Sequence, residues 1–369
     1  MNDINILDKL INFKTDAKIT THKACNDYIV SMLKSNGWKV DFVNNENGNK
    51  KNIVAVLNGD LKDINNGLLL SGHIDTVTTT KELWATDPYK LTINNDLMFG
   101  LGVADMKYFT ASILANLKNI NKLNLKKPLV FALTSDEETV MEGIIAVSKY
   151  FKKQNLKPEY ALIGEPNSFK FSNSNKGFYE YETEIIGKAC HSSNPNGGIN
   201  AIYIMSNLVL FLENLAKEYN SKGTTINVGV INGGKLCNIV PDLCKIRWDI
   251  RTFSRKDLTE IESKVNEFLK EITLKYNGSS FKNSIVFSIP VFEDRKNPIF
   301  EKLTKKYGYK EEPYAASTEA GYFQELGIDC AIFGVGDIKD AHAINEKLSI
   351  KDFREYQKIL LNMIEDICC

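Results

Sequence analysis

Short unbroken apolar runs punctuate the first half of the chain, at 52–57, 67–74, 128–134 and 159–163, each flanked by turn or polar residues. They do not alternate, as expected of strands buried on both faces. Helical spacing lies between them. Residues 21–36 (THKACNDYIVSMLKSN) predict a helix capped by Thr20 or Thr21 and closed by Gly37. Apolar residues at 106, 109, 113, 114 and 117 predict another over about 105–119. This alternation of strand and helix predicts an α/β layer architecture.

From 177 the rhythm changes. A strand (FYEYETEIIG), a helix over about 198–217 and strands at 224–232 and 243–252 come first. A helix begun by Ser254 and running to about 272 and a strand at 284–289 complete the order βαββαβ, the ferredoxin-like pattern. The first rhythm resumes with a strand at 329–334 and a helix at 351–367. The expected organisation is a main domain in two pieces, 1–176 and 291–369, around an inserted domain at 177–290. A chain of 369 residues is long enough for two cores.

Composition narrows the classes. The 46 basic and 46 acidic residues cancel, so the electrostatic footprint of a nucleic-acid partner is missing. The apolar stretch at 199–215 is broken by Asn207, Glu213 and Asn214, which argues against a bilayer span. The opening MNDINILDKL has no basic segment followed by an apolar one, so no secretory leader is expected. Seven cysteines (25, 190, 237, 244, 330, 368, 369) lack CxxC spacing. Free thiols in a reducing cytoplasm are the simplest reading.

Histidine is scarce, with four copies, and three of them keep suggestive company. In LLLSGHIDTV, His73 and Asp75 share a face of extended chain, so Asp75 can accept the second ring N–H of a metal-bound His73. In GLGVADMK, Asp105 either caps the following helix or turns both oxygens outward to bridge two cations. A buried strand runs into Asp136-Glu137-Glu138, carboxylates that repel unless they are solvated or neutralised. Another runs into Gly164-Glu165-Pro166, and His342 follows the strand-plus-glycine run IFGVGD. Strand ends are where open α/β sheets place ligands. His73, Asp105, Glu138, Glu165 and His342 form a nitrogen and oxygen donor set suited to Zn²⁺ or a similar divalent ion. Glu137 is left over.

These motifs, with GKACHSS, CNIVPD, DIRT, TEAGYF and AHAINE, run in order from residue 71 to 346 and resemble the M20 family of zinc amidohydrolases and peptidases. That resemblance implies a zinc-exopeptidase-like mixed sheet flanked by helices, with the insertion as a dimerisation (lid) domain of a homodimer. It implies two Zn²⁺, with Co²⁺ or Mn²⁺ as substitutes. His73 and Glu165 would hold one, Glu138 and His342 the other, and Asp105 would bridge them. Asp75 would orient His73, and Glu137 would be the general base for a water between the ions. His191 would reach the partner subunit's site and steady the oxyanion. Asn238 and Arg251 would contact the carboxylate end of the substrate, although an Arg on a strand serves equally well in a structural salt bridge.

The family's substrates are N-acyl amino acids and dipeptides. STEAGYF resembles the Thr-Glu-Ala version found in acetylornithine deacetylases, so Thr318 would touch the substrate and Glu319 would face its ammonium group, unless Glu319 pairs locally. N-acetylornithine, in arginine biosynthesis, is the first expectation. Succinyl-diaminopimelate, other N-acyl amino acids and dipeptides are the alternatives. Gly334-Val335-Gly336 departs from the family's frequent Gly-Pro-Gly, which predicts a looser loop before His342.

Overall fold

Two helices, α1 (Asp3–Asn12) and α2 (Lys23–Ser35), precede three strands, β1 (Lys39–Asn44), β2 (Lys51–Leu57) and β3 (Leu68–His73). A small hairpin, β4 (Thr92–Asn94) and β5 (Leu97–Phe99), leads to α3 (Lys107–Ile120). β6 (Leu129–Thr134), α4 (Glu142–Gln154), β7 (Tyr160–Ile163) and β8 (Phe171–Ser172) follow. Next come β9 (Gly177–Ile186), β10 (Cys190–His191), α5 (Ala201–Tyr219), β11 (Thr225–Gly233) and β12 (Ile239–Val240). β13 (Leu243–Thr252), α6 (Arg255–Lys275) and β14 (Ser280–Ile289) close that stretch. Then come α7 (Pro298–Tyr307), α8 (Ala320–Glu325), β15 (Asp329–Phe333), β16 (Lys347–Ser349) and α9 (Ile350–Cys368). The structure is a computed structural model and describes residues 3–19 and 21–369. It divides into two units, Met1–Ser174 with Asp294–Cys369, and Asn175–Glu293.

The first unit is built on a mixed seven-stranded sheet in the order β1-β2-β6-β3-β7-β15-β8. Its central strands β6, β3, β7 and β15 run parallel, and β1, β2 and β8 pair antiparallel. Every residue of β3 and β6 is buried, as strands covered on both faces require. Leu68, Leu70, Leu129 and Phe131 belong to a core shared with α1, α2, α3 and α9. α4 and α8 meet through Phe151 and Phe323, whose rings lie 6.2 Å apart. Register brings the parallel strands to a common end: His73 pairs with Thr134, Ser71 with Ile163, and Ile163 with Ile332. The loops that leave those ends carry the candidate ligands.

The second unit is a four-stranded antiparallel sheet in the order β11-β13-β9-β14, the ferredoxin-like arrangement. Tyr181, Ile185, Cys244, Ile246 and Trp248 share a core with α5 and α6, and Tyr181 stacks on Trp248 at 4.4 Å. The opposite face is polar, with Lys245 on Glu184 at 2.7 Å and Arg247 near Glu180 and Glu182. Ser254 caps α6 by accepting from the Asp257 amide at 3.1 Å.

Several boundaries differ from the sequence reading. α2 starts at Lys23, where Thr21 Oγ1 accepts the Lys23 amide at 3.3 Å, while Thr20 lies outside the described residues. α3 starts at Lys107, two residues past Asp105, so Asp105 does not cap it. β14 begins at Ser280 rather than 284, and its first residues alternate between exposed and half-buried. β1 and α4 were not expected. β1 is a half-exposed edge strand without an apolar run, and α4 starts in the turn after the acidic cluster. Among the described residues no helix is long and apolar enough to cross a membrane.

Candidate metal centre

His73 is the last residue of β3 and is buried. Its Nδ1 lies 3.0 Å from the Asp75 carbonyl. A ring that gives its Nδ1 proton to a carbonyl has a bare Nε2 for a cation. That Nε2 points at Asp105 Oδ1 (3.2 Å), with Glu137 Oε2 and Glu165 Oε1 each at 3.9 Å. The expected contact with the Asp75 carboxylate is not made, because Oδ1 stands 3.7 Å away and the carbonyl lies closer. Asp75 Oδ2 instead accepts the Glu138 amide at 3.1 Å, tying the loop after β3 to the loop after β6.

On the other side, His342 Nε2 lies 2.7 Å from Glu138 Oε2 and 3.4 Å from Asp105 Oδ2. Asp105 therefore divides its two oxygens between the two imidazoles. His73, Asp105 and Glu165 form one group able to hold a metal ion, and Asp105, Glu138 and His342 form a second, with ligand atoms within 4.8 Å of one another in each. Asp105 is common to both. His342 and Asp136 both have left-handed backbones (φ 58° and 62°), a strain found where a fold must aim a side chain.

The electrostatics show what this donor set lacks. Burial raises the pKa values of Glu137 and Glu165 well above the usual range, and neighbouring carboxylates add to the rise. Burial also raises Glu138, against the pull of His342. Burial opposes charge on His73, yet the Asp105 hydrogen bond and the Glu137 and Glu165 carboxylates carry its pKa well above normal. Hydrogen bonds to Asp105 and Glu138 push His342 up to about 10. Burial would raise Asp105, but the two imidazoles hold it below the carboxylate range. Both imidazoles are thus pulled towards their charged forms by carboxylates that lack a cation. Two divalent ions would balance the four carboxylates charge for charge and leave both rings neutral as ligands. The residues present fit the metals.

Packing sets these loops. Tyr108 on α3 donates its hydroxyl to the Gly164 carbonyl (2.7 Å) and accepts the Val335 amide (3.0 Å). A Cβ on Gly334 would meet that hydroxyl and the Glu165 carbonyl, each at 2.0 Å. The Gly334 and Gly336 carbonyls accept from Phe169 and Ser168 at 2.9 and 2.8 Å. The loop expected to be loose is pinned at both glycines.

Two of the residues expected at the substrate are interior. Glu319 is 1 % exposed; its Oε2 accepts from Ser71 Oγ at 2.9 Å and its Oε1 from the Thr134 hydroxyl. It bridges β3 and β6, and the strand hydroxyls of Ser71 and Thr134 hold both of its oxygens. Thr318 is fully buried, and its Oγ1 accepts the Ala320 amide at 3.1 Å.

Burial pushes Glu319 up to about 7, above the ordinary carboxylate value. Between pH 4.5 and 7 the unfolded chain gives up this proton and the folded chain keeps it, so stability falls as pH rises. Wild-type metal-free protein is expected to lose about 3 kcal/mol more than Glu319→Gln over that interval. Urea unfolding at pH 4.5 and 8 measures the difference. Parallel curves for the two proteins would refute it.

His191, Asn238 and Arg251 belong to the second unit. His191 is exposed and its Nδ1 accepts the Ser193 amide at 3.2 Å, so a neutral ring carries its proton on Nε2. Arg251 lies over the Phe178 ring at 4.4 Å and 3.5 Å from Asp249, while Asn238 is exposed in a turn. Sequence reasoning missed Tyr108, Lys50 and Glu346. Glu346 stands inside the AHAINE motif, but its partners are backbone amides, which leave no mark in a sequence.

Comparison with known proteins gives the family and the fold. The acetylornithine deacetylase of Buchnera aphidicola subsp. Schizaphis graminum is 33% identical over 99% of this chain and 98% of its own. That of Aliivibrio salmonicida is 33% identical over 90% and 88%. Among solved structures, a tripeptidase from Staphylococcus aureus superposes with a TM-score of 0.77 at 19% identity, covering 100% of this chain and 99% of its own. An M20 family metallo-carboxypeptidase from Sulfolobus solfataricus gives 0.71 at 18%, over 100% and 99%, so the fold is shared. Residues 69–366 match the family model for Peptidase family M20/M25/M40, and the chain belongs to that family of hydrolases.

Proposed function

We propose that this protein is a two-zinc deacylase that cleaves the amide of a small N-acyl amino acid, with N-acetylornithine as its substrate. The division of Asp105 between His73 and His342 carries the two-metal part of this reading. His73 and Glu165 would hold one ion, Glu138 and His342 the other, and Asp105 both. Bound ions supply Lewis acidity to the scissile carbonyl and make the attacking water acidic. Glu137, outside both ligand groups yet with its Oε2 3.9 Å from His73 Nε2, takes the proton from that water and returns it to the amine nitrogen as the C–N bond breaks. The products are the free carboxylic acid and the amine.

The substrate reading rests on the relatives that cover nearly the whole chain. Purified protein is expected to lose activity on chelation and regain it with Zn²⁺. Among N-acetylornithine, N-acetylmethionine, N-succinyl-diaminopimelate and a dipeptide series, N-acetylornithine is expected to give the highest kcat/KM. A dipeptide in first place would overturn the deacylase reading. Full activity with a single bound ion would overturn the two-metal one.

The reading includes a homodimer in which His191 donates from Nε2 to the oxyanion of the partner's substrate. Tyr203, Leu210, Ile231 and Leu236 leave an apolar surface on the second unit that a second copy would cover. Sedimentation showing an active monomer would remove both ideas.

A further inference from the structure

Glu346 is buried, four residues past His342, and belongs to neither ligand group. Three backbone amides hold its carboxylate: Oε1 accepts from Ala104 at 2.6 Å and Asp105 at 2.9 Å, and Oε2 accepts from Gly102 at 2.7 Å. Its own carbonyl accepts the Gly100 amide at 3.3 Å. Three backbone amides converging on one buried carboxylate fix its position from both sides. All four donors lie in the loop that ends on Asp105. The segment that carries Glu346 also carries His342, and Asn345 Oδ1 fastens it separately to the Ala85 amide at 2.7 Å. One carboxylate thus joins the loop supplying Asp105 to the segment supplying His342.

We propose that Glu346 is a positioning residue that sets the gap between Asp105 and His342, and through it the geometry of the second metal position. This inference rests on the two-metal reading above. It concerns only this brace. Metal–ligand distances hold to within about 0.2 Å, so the ligands must be closely placed. His342 is half-exposed on a left-handed residue, so its own packing holds it less firmly than His73 is held in the sheet. A brace from its segment to the Asp105 backbone supplies that constraint. The carboxylate suits the task because it accepts at both ends. A glutamine of the same size would turn an NH₂ group towards one or two backbone N–H groups.

The test is zinc titration by calorimetry, with cobalt spectra as a reporter of coordination geometry, on metal-free wild type, Glu346→Gln and Asn345→Ala. Glu346→Gln is expected to bind the second ion about 10–100-fold more weakly, the range for residues that orient ligands. The first ion is expected to bind as in wild type, and kcat to fall without a rise in KM. Asn345→Ala, which loosens the same segment elsewhere, is expected to bind both ions normally. A Glu346→Gln protein that binds two ions with wild-type affinities and cobalt spectrum overturns the inference alone. Equal weakening of both ions in the two variants, or failure of Glu346→Gln to fold without metal, also overturns it, since Glu346 would then serve general stability. A wild type that takes up only one ion overturns the two-metal reading and this inference with it.

Discussion

Glu137→Gln protein loaded with its metals is expected to turn over about 10²–10⁴-fold more slowly than wild type, the range for loss of a positioned general base. Four carboxylates crowd this centre, and three of them belong to ligand groups. Glu137 is the fourth, with its Oε2 3.9 Å from His73 Nε2. Replacing it with an amide of the same size leaves the donor set intact, so metal content is expected to stay at the wild-type level. Glu138→Gln should behave differently. It removes the partner of His342 at 2.7 Å, and metal and activity should fall together. Steady-state kinetics paired with metal analysis of both variants separates the roles. An active Glu137→Gln, or one that loses metal, would exchange or abolish them.

Lys50→Met is expected to destabilise the protein by about 3–5 kcal/mol, the usual effect of removing one partner of a buried ion pair. Lys50 and Asp136 form such a pair, with side chains 7% and 9% exposed. Asn45 Nδ2 also donates to Asp136 at 2.7 Å, and Asn52 Nδ2 holds Asn45 at 2.8 Å while its oxygen accepts the Ser135 amide. The β1–β2 hairpin thereby grips the residue just before Glu137. Loss of Lys50 leaves a buried carboxylate unpaired and releases the turn that aims the proposed base. The double variant Lys50→Met/Asp136→Asn is expected to recover part of the stability, because no lone charge is then buried. Denaturant unfolding at pH 7 checks both. A loss below about 1 kcal/mol in the single variant would place the pair in contact with water.

The elements legible in the sequence were those whose local pattern matches their tertiary role. β3 and β6 are unbroken apolar runs and are buried throughout. The order of strands and helices in the second unit was readable because β13 keeps its alternation throughout, β9 over most of its length, and Ser254 caps α6. β1 was hidden because an edge strand needs only one apolar face. α4 was hidden because it begins beside an acidic cluster that reads as a turn. Glu319 shows a different limit. Its motif resembled a substrate contact, yet its hydroxyl partners are 248 and 185 residues away in the chain.

By itself the sequence determined the donor chemistry. Two imidazoles and a set of carboxylates stand at strand ends or in the loops that follow them, where a parallel sheet exposes its loops. Only the tertiary structure decided how those donors divide. Asp105 splits its oxygens because His73 and His342 approach it from elements 269 residues apart, 73 and 342 in the numbering. Glu137 and Glu138 are chemically identical neighbours, and a left-handed turn at Asp136, clamped by Lys50, sets where each one points. Side-chain direction at a turn depends on backbone angles and distant partners, and residue type encodes neither.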